Sequence, residues 1–182
     1  VPYVIALSGY DQVNYGNQFY YPMMALLYGN YYDIKTDGYE KRDFIVKPNT
    51  NSEIPIGIFH DKKMEHISAI IFSSVITLGK LTSLSISQNK SRLKTNIVMT
   101  IRHDQDAPQY KLQEVTDENP EYLSDGVFIF HNPNAKNKIP LDVFDKTNAI
   151  NVVYSEYGLM FQGNNLPIIS RFNMSKSFIP IK

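Results

Sequence analysis

The segment HISAIIFSS, His66 to Ser74, constrains the fold more than any other part of the chain. Its apolar residues run on without alternation, and they are of the β-forming kind. A strand written this way is buried on both faces, so it belongs near the centre of a sheet with a cover on each side. Tyr3 to Leu7 and GVFIFHN read as further buried strands, and Asn96 to Asp104 as a strand that ends in polar groups. INVVYSEYGLMFQ predicts a hairpin turning near Glu156 and Gly158.

Helical signals are fewer. QFYYPMMALLY, Gln18 to Tyr28, has helical length, with Asn17 as N-cap, Pro22 restricted to the first turn and Gly29 as C-cap. TLGKLTSLSISQ sets Leu78, Leu81 and Leu84 at helical spacing, with Thr77 placed to cap. Leu141 to Phe144 reads as one short helical turn. Between Tyr31 and Pro55, YYDI and DFIV suggest a hairpin or an elaborated loop. DAPQYKLQEVTDENPEYLSD reads as a mostly exposed connection, and the stretch from Leu166 as an edge strand or tail. The expected fold class is α/β (or α+β): a mixed β-sheet with a few packed helices, in a single domain over residues 1–182.

Composition supports one domain. A chain of 182 residues with 43% hydrophobic and 20% charged residues can bury a sizeable core, and 13 Tyr and 10 Phe supply large side chains for it. Lysine plus arginine and aspartate plus glutamate each number 18, so the total charge does not advertise a polyanionic partner. With no cysteine, disulfides, thiolate metal sites and cysteine nucleophiles are excluded, and a reducing cytoplasm is the expected setting. No apolar run is long enough for a membrane helix, so no membrane partner is expected. The chain opens directly on the strand-like PYVIAL, without an initiator methionine, which suggests a fragment of a longer protein.

Three apolar strands end in polar groups: LSGYDQ, IRHDQD and FHNPNAK. If these strands are parallel, their carboxyl ends share one sheet edge, the usual ligand position in open α/β sheets. That reading gathers Asp11, His103, Asp104, Asp106, His131 and Asn132 into one cleft. His103, Asp104, His131 and Asn132 would be its catalytic groups, and Asp104 and Asp106 would form a carboxylate pair for a hard cation. The competing reading is that Asp, Asn and Pro make turns. Asn132 before Pro133 would be extended, Pro133 would set the turn, and Asn134 would tolerate a left-handed backbone. His131 would then only bond within its own loop.

Several motif classes are missing. The chain has no GxGxxG, Walker-type GK[ST], GxSxG or HExxH. The basic stretch KSRLK, Lys90 to Lys94, with Lys80 nearby, is compatible with phosphate contact, but a run of this size is usually a solvated helix end.

Taken together, the blocks resemble the C-terminal part of a family of uncharacterised bacterial proteins. The matching segments are Pro2 to Ala6, Leu26 to Gly29, Ser68 to Lys80, Arg102 to Asp106 and Phe130 to Phe144. Leu81 and Thr82 depart from the family pattern, which has phenylalanine and asparagine there. The resemblance implies an upstream region that is restriction-endonuclease-like, with its acidic metal-binding pair before Val1. The present chain would be the accompanying region, without a cofactor of its own. A divalent metal such as Mg would serve the full-length protein, and DNA would be a partner through that parent. Two alternatives stand beside this. One is a self-contained metal-dependent hydrolase built on the RHDQD and FHNPNAK loops. The other is a structural or interaction module, for example a homodimer packed through an exposed face of the aromatic helix Phe19 to Tyr28.

Overall fold

The computed structural model describes residues 1–9, 20–33, 35–73, 78–90, 96–103 and 110–175. The first half of the chain supplies β1 (Val4–Ser8), α1 (Tyr21–Tyr28), β2 (Asn30–Asp33), β3 (Gly38–Lys41), β4 (Phe44–Val46), β5 (Glu53–Pro55), β6 (Ala69–Ser73) and α2 (Leu78–Ser87). The second half supplies β7 (Asn96–His103), β8 (Tyr110–Glu114), β9 (Val127–His131), β10 (Ile150–Ser155), β11 (Gly158–Gln162) and β12 (Ile168–Ser175). Short 3-10 turns fall at Ile58–His60, Lys62–Met64 and Leu141–Phe144.

Five strands form the main sheet in the order β1-β6-β9-β10-β11. β1 runs parallel to β6, and β9 parallel to β10. The two pairs oppose each other, since β6 and β9 are antiparallel, with Ala69 opposite His131 and Ser73 opposite Val127. This mixed topology decides where the connections lie. Right-handed crossovers between parallel strands fall on opposite faces of a sheet when the two pairs point in opposite directions. Accordingly, α1, from the β1-to-β6 connection, covers one face, packing Met24, Leu27 and Tyr28 with Phe72, Phe128, Phe130 and Val152. Ile139 and Phe144, from the β9-to-β10 connection, cover the other face over Ala69, Ile129 and Ala149. The continuous apolar run of β6 is thus needed on both sides, as the sequence predicts.

A second sheet, in the order β12-β7-β8, joins the same core through Ile101 and Ile169. Val98, Thr100 and Arg102 of β7 are buried on one face; on the other, Ile101 packs against the core while Phe172 and Met174 are exposed. The hairpins β2-β3 and β4-β5 complete the described architecture, a mixed α/β fold with two helices.

Several expectations are met and others are corrected. In α1, Pro22 occupies the first turn and Gly29 ends the helix in a left-handed conformation, φ 67°. A Cβ there would lie 2.7 Å from the Arg42 carbonyl oxygen, so glycine is required on two counts. Tyr20 holds the N-cap position without a side-chain cap bond; Asn17 and Thr77 lie outside the described residues. The α1 side chains Met23, Met24, Leu27 and Tyr28 are buried in this chain, which removes that helix as an exposed docking face. The helix expected from the leucine spacing is present as α2, with Leu84 half-buried. Leu78 and Leu81 are 85% and 65% exposed, whereas Lys80 and Ser83 are buried. The supposed exposed connection after β7 contains strand β8 and two buried acids, Glu121 and Asp125.

Candidate functional site: a tyrosine cleft

The three strand ends that the sequence brings together are separated by this topology. β9 runs opposite to β1 and β6, so its carboxyl end lies at the sheet edge where β6 begins, and β7 belongs to the second sheet. His103 accompanies Tyr20 at the start of α1, with Tyr20 Oη 2.6 Å from His103 Nδ1. His131 accompanies Tyr28 at the other end of that helix, where the Tyr28 hydroxyl donates to the His131 carbonyl at 2.8 Å. Eight helical residues span roughly 12 Å. In addition, the alternation of β9 turns Phe128 and Phe130 toward α1 and His131 to the opposite face. The two histidines therefore cannot act on one atom of one substrate. Asp11, Asp104 and Asp106 lie outside the described residues.

The FHNPNAK loop has a structural role that is fully visible. Asn132 donates from its side-chain amide to the Met64 and Ile67 carbonyls at 2.9 and 2.8 Å, and its Oδ1 accepts from the Asn134 backbone at 2.9 Å. Asn134 donates to the Phe59 carbonyl at 2.9 Å and keeps a negative φ, so the left-handed backbone expected there is not used. Lys136 adds a backbone bond and an exposed ion pair to Glu65. The loop ties the end of β9 to the segment that leads into β6. The buried His131 ring bonds Asn151 Oδ1 at 2.8 Å; because that oxygen can only accept, Nε2 carries the proton. Burial pushes this imidazole below its usual range, against the Asn151 bond, and favours the neutral form.

A second constellation was not foreseen from sequence. Lys80 of α2, Arg102 of β7 and Arg171 of β12 converge on Glu121 and Asp125 from the turn before β9. Lys80 Nζ lies 3.3 Å from Glu121 and donates to the Asp125 carbonyl at 2.6 Å, and Arg102 meets Asp125 at 3.0 Å. Glu121 also accepts from Arg171 and Ser83. All five charged side chains are at least nine-tenths buried. Burial lowers the Lys80 ammonium below its usual range, with Glu121 working in the opposite direction. Lys80 is thus an internal tie and not a phosphate contact; residues 91–94 of the basic stretch are outside the described residues. Such a network fixes α2 and the second sheet to the first, and it closes on itself rather than on solvent.

The feature that faces solvent with chemistry to offer is a cleft of about 490 Å³ beside α1 and β11. Tyr20 and Tyr21 reach it from the start of α1, Asn30, Tyr32 and Tyr39 from the β2-β3 hairpin, Asp37 from its turn, and His103 from the end of β7. Leu159 and Phe161 form the β11 wall. The rings of Tyr21 and Tyr32 stack with centroids 4.8 Å apart, and Tyr39 tilts against Tyr32 at 5.2 Å. The Tyr21 ring also lies 4.7 Å from that of Tyr20 and 6.1 Å from that of Tyr39, centre to centre, which puts it in the middle of a phenol cluster. Burial, and then neighbouring phenols, drive the Tyr20 hydroxyl far above its ordinary range. It therefore stays protonated, and its hydroxyl shares a 2.6 Å hydrogen bond with His103 Nδ1. On the exposed hairpin, the bond to Asp37 pushes Tyr32 up to about 12.

Of the described candidate residues, His103 alone joins this cleft; the His131 ring ties β9 to Asn151 of β10, and Asn132 belongs to the loop clasp. The tyrosines come from segments far apart in sequence, and a lone tyrosine in a hairpin carries no motif. The only available signal was the high tyrosine count. Among the described residues, no group of three or more His, Asp or Glu side chains is placed to hold a metal ion, and no helix is long and apolar enough to cross a membrane.

Fold and cleft together define a mixed α/β domain with an aromatic, oxygen-rich surface site. No protein-family model, no curated protein and no solved structure matches the chain.

Proposed function

We propose that the chain is a non-catalytic recognition domain that binds a small group in the tyrosine cleft, and that it serves a nuclease-like region in a longer bacterial protein. The observation that carries the recognition reading is the convergence of Tyr20, Tyr21, Tyr32, Tyr39 and His103, from two hairpin strands, a helix and a distant strand, on one solvent-facing cleft. Aromatic rings with polar rims provide contact area at little entropic cost, and a few placed polar groups then orient the ligand. A hydrolase acting jointly through His103 and His131 is the weaker reading, because the helix and the sheet stand between them. The link to a nuclease rests on the resemblance of the sequence blocks; DNA and a divalent ion would be engaged by the parent protein. Its setting is taken as cytoplasmic, which a cysteine-free chain suits.

Two measurements test this. Saturation-transfer NMR with choline and with its uncharged isostere, 3,3-dimethylbutan-1-ol, is expected to show binding of at least one probe, lost in Tyr39→Ala; silence from both contradicts the recognition reading. For the nuclease link, the isolated chain is expected to leave supercoiled DNA intact with magnesium, while the protein extended upstream cuts it. Cleavage by the isolated chain, or none by the extended protein, would remove that part of the proposal.

A further inference from the structure

We propose that the group bound in the tyrosine cleft is an alkylated ammonium ion, held against phenol rings and the carboxylate of Asp37. This deepens the recognition reading above and rests on it. The first argument is the sign of the lining. Among the described residues that form the cleft, Asp37 is the one carboxylate and none is lysine or arginine. The hairpin carries two lysines: Lys41 is directed elsewhere, its ammonium donating to the Tyr28 carbonyl at 3.0 Å and sitting 4.5 Å from the centre of the Tyr154 ring, and Lys35, in the turn with Asp37, is exposed and does not line the cleft. An anionic ligand would meet no counter-charge there, whereas a cation would.

The second argument is the density of electron-rich groups. The Tyr21, Tyr32 and Tyr39 rings lie within 6.1 Å of one another, centre to centre, so one cation over an outward face of this cluster would be near several π systems at once. A cation within about 6 Å of a ring centre is attracted by the ring quadrupole, and quaternary ammonium groups are the ions for which such aromatic sites are best suited. The hydroxyl oxygens add to the same field. For Tyr39, burial and then Tyr21 oppose ionisation, and for Tyr32 the Asp37 carboxylate does so. Of these, it is the Asp37 carboxylate beside Tyr32 whose charge favours a cation.

The third argument concerns desolvation. A primary ammonium or guanidinium carries hydrogen-bond donors that each need a partner, and hydration makes their transfer into a cleft costly. An alkylated ammonium has few donors or none, presents methyl groups to rings, and loses less hydration on entry. The chemistry is shared by a free choline-like molecule and by a methylated lysine side chain.

Titration of the whole chain by calorimetry distinguishes the outcomes. Choline is expected to bind at least tenfold more tightly than 3,3-dimethylbutan-1-ol, and Asp37→Asn, which keeps the left-handed turn geometry at φ 51° and an acceptor for Tyr32, is expected to weaken choline three- to tenfold while leaving the alcohol unchanged. Nε-trimethyllysine amide serves as the second source; tighter binding than choline assigns the site to a protein side chain, weaker binding to a small molecule. Equal or tighter binding of the alcohol overturns the cation inference and leaves the cleft reading standing. An unchanged choline affinity in Asp37→Asn likewise overturns it. Failure of all three probes overturns both.

Discussion

At the residue scale, Glu121 carries the most consequence. It neutralises Lys80 and Arg171 together, with Ser83 as a further donor, in a site with essentially no solvent. Removing one partner of a buried pair leaves an uncompensated charge, typically a loss of about 3–5 kcal/mol. Glu121→Gln is therefore expected to cost on that order in denaturant unfolding, whereas Lys80→Met, which leaves Glu121 paired with Arg171, should cost under about 2 kcal/mol. Equal costs would mean that the network is not organised around Glu121. None of this was legible in PEYLSD, where the acids look like loop residues, because their charged partners lie 23 or more positions away in the chain and burial is a property of the assembled fold. His131 offers a second test. Its imidazole titrates lower in the folded protein than in the unfolded chain, so the unfolded chain binds the proton first as pH falls. Stability should decline as the pH drops below about 6.5, the ordinary imidazole value, until the folded-state imidazole itself titrates. His131→Gln should flatten that part of the profile, and chemical denaturation at pH 5 and pH 7 measures it.

At the scale of elements, the central strand, the two ends of α1 marked by Pro22 and Gly29, and one hairpin were readable; β8 and the helix faces were not. β6 declared itself through an unbroken apolar run, α1 through Pro22 and Gly29, and the β10-β11 hairpin through its turn. Each is a local signal. For α2 the leucine spacing indicated a helix but not its buried face, because the partner of this helix is not an apolar layer but the Arg171 and Asn173 side of β12, where a Cβ added to Gly79 would lie 3.0 Å from the Asn173 amide nitrogen. Periodicity shows which residues share a face and not what that face meets. Leu81→Glu should change stability by no more than about 0.5 kcal/mol. Ser83→Leu, at a fully buried position bonded to Glu121, should destabilise by about 3 kcal/mol or more, and thermal unfolding of both variants checks the pair. The reverse ranking would restore the leucine stripe as the core face.

For the whole molecule, strand direction is the decisive fact. Polar strand ends suggested one shared edge, but a run of apolar residues does not encode which way its strand points. With β9 reversed against β6, the two candidate histidines part company: His103 joins the phenol cluster, and the His131 ring bonds Asn151 of β10 next to the clasp. Long-range coupling of this kind is invisible to any single window of sequence. Histidine-selective NMR of the intact chain reads the division directly, since the sequence contains only 4 histidines. During titration with choline, the His103 imidazole signals are expected to shift in proportion to occupancy while those of His131 stay fixed. A shift at His131 with His103 unmoved, or comparable shifts at both, would contradict the separation of recognition cleft and structural clasp.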